Sequence, residues 1–301
     1  MRSKRYISCA FFLLILVMGC QSTLETPSAP FQRLADPGLD QGIPVKVVAA
    51  NNSDIGESFV NANDGTEKKL WYITSNPWAV QSAEGSVEVN YTGAGKLLID
   101  VQMKDINGSF GGYPSIIYGR SPWNKAWANA QPADFPVQVK QMQELSALTQ
   151  YDLTFNQFGG NIAYDLWLTE AHFPDGPNGG VEIMVWLWRR ENTPLGAYNR
   201  TSTKLITVNG LPVNKVFNVY FEKTSAVRDW DVVTFIIDDR QGIRSGKVEI
   251  DQLGFINEAL ELAGRSQDLY LQDIEFGVEF TNQDQDFKLE LDKFQIDQQC
   301  Y

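Results

Sequence analysis

Histidine is almost absent from this 301-residue chain, which contains one. A histidine-built metal site is thereby excluded, since such sites need several imidazole ligands. Cysteine is nearly as scarce: Cys9 and Cys20 fall in the N-terminal segment and only Cys300 lies elsewhere. No disulfide can close within the folded part, so the core must hold it without covalent help. Positive charge is also short, 25 Lys and Arg against 37 Asp and Glu, for a formal net charge of −12. A phosphate-backbone binder needs a basic stripe, so nucleic acid is not an expected partner. Coiled-coil, collagen and polytopic membrane classes fail on composition as well. What remains is 43% hydrophobic and 12% aromatic, with 24 Gly and 13 Pro. That mixture describes a folded chain rich in β-structure and turns.

The first twenty residues read as an export segment. Arg2, Lys4 and Arg5 precede an unbroken apolar run at 10–18, closed by Gly19 and Cys20. The run is too short to span a bilayer as a stop-transfer helix. Val17-Met18-Gly19-Cys20 resembles a bacterial lipobox, in which the cysteine becomes the lipidated first residue. The expectation is therefore a signal at 1–19, lipid on Cys20, and a tether and lead-in at 20–60 rich in Pro, Ser, Thr and Gln. The chain would cross the inner membrane and stay anchored by lipid to the outer membrane or cell surface. Losing 1–19 removes three basic residues and no acid, so the remainder is more acidic still. One domain at 61–301, a monomer, is the simplest division.

Within that domain, period-two alternation recurs at 86–91, 96–103, 151–155, 161–169, 181–188, 202–208, 215–222, 230–237, 272–280 and 287–296. Short runs of this kind, separated by Gly, Asn, Asp and Pro, predict an all-β sandwich of two antiparallel sheets. One segment departs from it. Leu253, Ile256, Ala259, Leu260 and Ala263 fall at helical spacing, with Asp251 placed as N-cap and Gly264 as stop.

The strand at 181–188 carries the chemistry. Val181, Ile183, Val185 and Leu187 share one face; Glu182, Met184, Trp186 and Trp188 share the other. A carboxylate in line with a thioether and indoles is partly desolvated, and its neighbours set its pKa. Alone, it also reads as an edge-strand Glu beside aromatics that pack elsewhere. Two further strands repeat the theme. Glu275, Gly277 and Glu279 alternate with Ile274, Phe276, Val278 and Phe280, Gly277 leaving room for a sugar ring, and Asp165 and Trp167 share a face at 163–167. Two carboxyls across an indole-lined cleft are the equipment for glycoside hydrolysis. Either Glu275 or Glu279 supplies the second acid on this reading.

The segments NPWAVQSAEGSVEV (76–89), YPSIIYGRSPW (113–123), NIAYDLWLT (161–169), VEIMVWLW (181–188), TPLGA (193–197) and EFGVEF (275–280) resemble glycoside hydrolase family 12 in order and spacing. The resemblance spans 70–297. It implies a β-jelly roll of two curved antiparallel sheets with one α-helix on the convex side, and a retaining endo-β-1,4-glucanase acting on cellulose, mixed-linkage β-glucan or xyloglucan. By position, Glu182 matches the nucleophile, Glu279 the general acid/base, and Asp165 the acid that hydrogen-bonds the nucleophile. Asn76 and Trp78 match the pair that holds sugars on the non-reducing side. Met184 and Trp186 match the cleft wall, Pro194 and Gly196 the cord across one end, and Trp123 falls in a segment that lines the groove. Neither metal nor cofactor is implied; the partner is a β-glucan polysaccharide. Two readings from other classes compete. A non-catalytic lipoprotein that captures glucan makes no use of two opposed acids, and a structural outer-membrane lipoprotein leaves the aromatic cleft unexplained.

Overall fold

The computed structural model describes residues 34–35, 44–60, 71–123, 135–177, 179–225 and 228–300. The expected signal at 1–19, Cys20 and most of the tether lie outside them. In chain order the strands are β1 (Leu34–Ala35), β2 (Val45–Ala49), β3 (Glu57–Val60), β4 (Trp71–Thr74), β5 (Val80–Gly93), β6 (Lys96–Gly108), β7 (Ser115–Gly119) and β8 (Val137–Gln138). They continue as β9 (Met142–Gln157), β10 (Gly160–Thr169), β11 (Val181–Arg190), β12 (Ala197–Val208), β13 (Leu211–Glu222), β14 (Asp231–Ile237), β15 (Ser245–Asp251), β16 (Tyr270–Phe280) and β17 (Gln285–Cys300). Among the described residues one α-helix, α1 (Gln252–Ala263), interrupts them.

Pairing sorts these strands into two layers. An outer sheet runs β2-β5-β6-β17-β9-β15. An inner sheet runs β3-β4-β7-β16-β10-β11-β14-β13-β12. The layers join along one side, where Thr207 and Val208 of β12 meet Glu249 and Val248 of β15. Between them the rings interlock: Phe294 of β17 lies 4.9 Å from Trp71 of β4 and 5.9 Å from Phe276 of β16, and Tyr151 of β9 lies 5.3 Å from Phe276. Residues alternating inward from both sheets make this core, as the period-two pattern demands. The all-β jelly roll, with one α-helix among the described residues, is what the structure shows.

Two features refine the sequence reading. The span expected as tether and lead-in holds β2, paired with β5, and β3, paired with β4, so sheet structure begins before residue 61. Pairing is antiparallel except for β11–β14, which is parallel. The helix is where its spacing placed it. The Asp251 carboxylate accepts from the Gly254 amide at 3.0 Å, and Gly264 stops it in the left-handed conformation at φ 66°. It was expected on the convex sheet, and outer strand β9 is the strand it meets most extensively. It also reaches the back of inner strands β11 and β14, with Phe255 edge-on to Phe217 and Phe235 at 5.1 and 5.0 Å.

The parallel pair fixes the chain path across the site. β11 ends at Arg190, yet β12 begins at Ala197 opposite Phe221, which lies opposite Val233, itself level with Ile183. Residues 191–196 must therefore travel back along the length of β11 and past two strands. They do so over the open face of the inner sheet, because Asn192 bonds to Glu279 there.

Candidate active site

The open face of the inner sheet is built by alternation on three neighbouring strands. On β11, Val181, Ile183, Val185 and Leu187 are buried in the core between the sheets. Glu182, Met184 and Trp186 point the other way, and Met184 and Trp186 join Tyr113, Ala163 and Ile236 in a separate apolar floor. Strand register sets the acids beside one another: Met184 faces Asp165, Asp165 faces Glu275, Glu182 faces Trp167, and Asn161 faces Glu279. Glu182 and Glu279 thus come from β11 and β16, flanking β10.

Trp188 was expected on the Glu182 face and is not there. Between the pairs Ile162–Trp188 and Ala163–Trp186, β11 holds one extra residue. Such a bulge reverses the parity beyond it, and Trp188 turns inward to stack on Phe155 and Phe158 at 5.8 and 5.5 Å. Gly277 also has a different reason for being there. A Cβ at this position would sit 2.2 Å from the Pro114 carbonyl oxygen and 2.8 Å from the Ser115 Cβ. The glycine lets the 114–115 segment approach β16, rather than making room for a sugar.

Accessibility separates the acids. Asp273, Glu275 and Asp165 are buried, at 0, 4 and 6% exposure. Glu182 and Glu279 alone among the trough acids of these three strands remain half-buried and open to the trough. Glu275 is tied to the Ser115 hydroxyl at 3.1 Å. Of the two candidates for the second acid, Glu279 is therefore the one a substrate can reach.

Their surroundings differ in kind. The Trp230 indole N–H donates to Glu182 Oε2 at 2.8 Å. Burial raises the Glu182 pKa, while that indole and the Arg228 charge pull it back and Glu222 adds a smaller push upward. Glu279 takes two neutral donors on one oxygen: Asn161 Nδ2 at 2.6 Å and Asn192 Nδ2 at 3.3 Å, both to Oε2. Burial, helped by the nearby Glu182 charge, lifts Glu279 to about 7 against the pull of both amides. Opposed environments of this kind assign a proton to one carboxyl and a charge to the other.

Asp165 was expected to hydrogen-bond Glu182. Trp230 holds that place, and Asp165 Oδ1 has no hydrogen-bond partner among the described residues. Burial first, then the charges of Glu182, Glu275 and Glu279, push the Asp165 carboxyl well up, with a hydrogen bond from Trp167 opposing. Asp165 therefore senses the Glu182 charge through space rather than through a hydrogen bond. Asp273 and Glu275 are raised in the same way, each by burial above all.

Aromatic surface lies within the trough and beside it. Trp78, 48% exposed, stacks on Phe110 at 5.8 Å with an interplanar angle of 21°. Asn76 beside it holds a left-handed φ of 31°, and its carbonyl accepts from the Tyr113 amide at 2.9 Å. Trp123, 54% exposed, meets Trp167 and Trp230 edge-on at 5.4 and 5.2 Å, which places it beside the indole that holds Glu182. Pro194 is buried and Leu195 exposed. Gly196, at φ 81°, packs so tightly on the Phe221 backbone that a side chain would not fit. Among the described residues, no three of His, Cys, Asp or Glu are arranged to hold a metal ion.

Trp230, Asn161 and Asn192 were not foreseen. A signal existed for Trp230, whose parity matches Thr234, the residue facing Met184. The Asn192 contact spans 87 residues and leaves no local mark.

The sequence model of Glycosyl hydrolase family 12 matches residues 70–297. No curated protein matches the chain. Among solved structures, a metagenome-derived family 12 endoglucanase shares 21% identity and a TM-score of 0.63 over 86% of this chain and 100% of its own. A family 12 xyloglucanase from Bacillus licheniformis shares 20% and 0.63, over 83% and 98%. An endoglucanase from Rhodothermus marinus shares 19% and 0.59, over 86% and 100%.

Proposed function

The chain belongs to glycosyl hydrolase family 12, and from that premise we propose that it is a retaining endo-β-1,4-glucanase working by double displacement on cellulose, mixed-linkage β-glucan or xyloglucan. The observation that carries the reading is the contrast between its two reachable acids. Glu182 has an indole N–H and an arginine charge favouring its anion; Glu279, near 7, has mainly burial and a like charge favouring its proton. Trp230 occupies Oε2 of Glu182, which leaves Oε1 free to attack the anomeric carbon. Both amides on Glu279 occupy its Oε2, which leaves Oε1 to deliver a proton to the departing glycosidic oxygen. Once Glu182 is esterified its charge is gone, the Glu279 carboxyl becomes more acidic, and it accepts a proton from the water that resolves the intermediate. Trp78 and Trp123 offer exposed indole faces for pyranose rings, and residues 191–196 cross the trough as a strap.

Export and lipid attachment through Cys20 are part of the same proposal, supported by the basic, apolar and Gly-Cys order of 2–20. The test of the chemistry is reducing-sugar release from the three polymers, with the anomer followed by NMR. Glu182→Ala and Glu279→Ala are each expected to abolish release while β-glucan binding persists, and the wild type to yield the β-anomer first. Full activity in either variant, or an α-anomer, would overturn it.

A further inference from the structure

Behind Glu279 stands a relay that begins in the turn after β14. Asp239, in the 3-10 turn Asp239–Gln241, grips Arg189 at the end of β11 through two parallel bonds, Nε to Oδ1 at 2.9 Å and Nη2 to Oδ2 at 3.1 Å. This fork geometry orients the guanidinium as well as binding it. The remaining arm, Arg189 Nη1, donates to the Asn192 carbonyl at 3.4 Å. Asn192 in turn sends its side-chain amide to Glu279 Oε2 at 3.3 Å. Of the two residues between, Glu191 sits at a left-handed φ of 51°, a conformation an L-residue keeps only when its surroundings hold it.

We propose that Asn192 is a positioning residue for Glu279, held in register by the Arg189–Asp239 pair, so that the start of the strap sets both the orientation and the protonation of the acid/base. The proposal rests on the reading of Glu279 as that acid/base. Asn161 fixes the same oxygen from β10, but Asn161 is buried in the sheet and cannot move with substrate, whereas Asn192 belongs to the segment that crosses the trough. The charged and titratable groups facing Glu279 are Glu182 from β11, Asp165 from β10 and Tyr113 from the segment before β7. Each is an acid, so nothing charged there substitutes for the lost donor. Donation to a carboxylate favours the anion, and removing the donor leaves the proton bound to higher pH.

The experiment is the pH profile of kcat/KM on soluble mixed-linkage β-glucan for the full chain. Glu279→Gln is measured first; wild-type activity there overturns the acid/base reading and this inference with it. With Glu279→Gln inactive, Asn192→Ala is expected to move the alkaline limb upward by about half a unit to one unit. Asp239→Ala is expected to move it the same way by less, and provides the test should Asn192→Ala not fold. An alkaline limb unmoved in Asn192→Ala refutes the positioning role while leaving the acid/base reading intact. A limb moved in Asn192→Ala and unmoved in Asp239→Ala refutes the relay.

Discussion

Glu279→Gln offers a test of the site that needs no substrate. The Glu279 carboxyl is raised from 4.5 to about 7 in the folded chain, chiefly by burial. At about 1.4 kcal/mol per unit, the ionised form then costs the folded state about 3 kcal/mol. Because the folded value is the higher, the folded chain holds the proton longer than the unfolded one. The stability this group contributes is full below pH 4.5, declines as pH rises toward 7 and is gone above it. Glutamine has nearly the same shape and never ionises. Wild type and Glu279→Gln should thus unfold at similar urea concentrations at pH 4, and the variant should be more stable by about 3 kcal/mol at pH 8. Other raised acids of the trough, Glu182, Asp165, Asp273 and Glu275, are present in both proteins and largely cancel in the difference. A stability difference that stays constant from pH 4 to pH 8 would refute the assignment of the shift to Glu279.

Parity along strands was readable wherever the strand was regular. It placed Glu182, Asp165 and Glu279 on one face without any knowledge of pairing, and spacing with an Asp and a Gly placed α1 to within a residue. It failed at Trp188, because a bulge inserts a residue that no Gly or Pro announces. It misread Gly277, because the reason for that glycine is a backbone 163 residues earlier in the chain, at Pro114. The short strands β2 and β3 fall in the stretch that reads as lead-in; their partners lie in β5 and β4, and the signal in Val45, Val47 and Ala49 is too brief to stand alone. Asn192 was illegible for a stronger reason. Its place depends on an Arg189–Asp239 contact across 50 residues, which no local pattern encodes.

Trp230→Phe keeps the ring but removes the N–H donated to Glu182, and a hydrogen bond to a charged group is worth about 1.5–3 kcal/mol. Hydrolysis should slow by roughly tenfold or more and the acidic limb of kcat/KM should move upward, since the nucleophile must be ionised to attack; an unmoved limb would remove Trp230 from the mechanism. Asp165→Asn tests the opposite kind of contribution. Asp165 is buried near both Glu182 and Glu279, and burial first, then the surrounding carboxylates, pushes its carboxyl well up, which favours the protonated form. A protonated Asp165 adds no repulsion to Glu182, whereas an ionised one would push the nucleophile's pKa upward. An amide of the same size changes no charge if the acid is already protonated. The pH profile of Asp165→Asn should therefore superimpose on the wild type, with kcat within about tenfold. Were Asp165 ionised instead, its replacement would relieve a repulsion on Glu182, and the acidic limb would fall to lower pH.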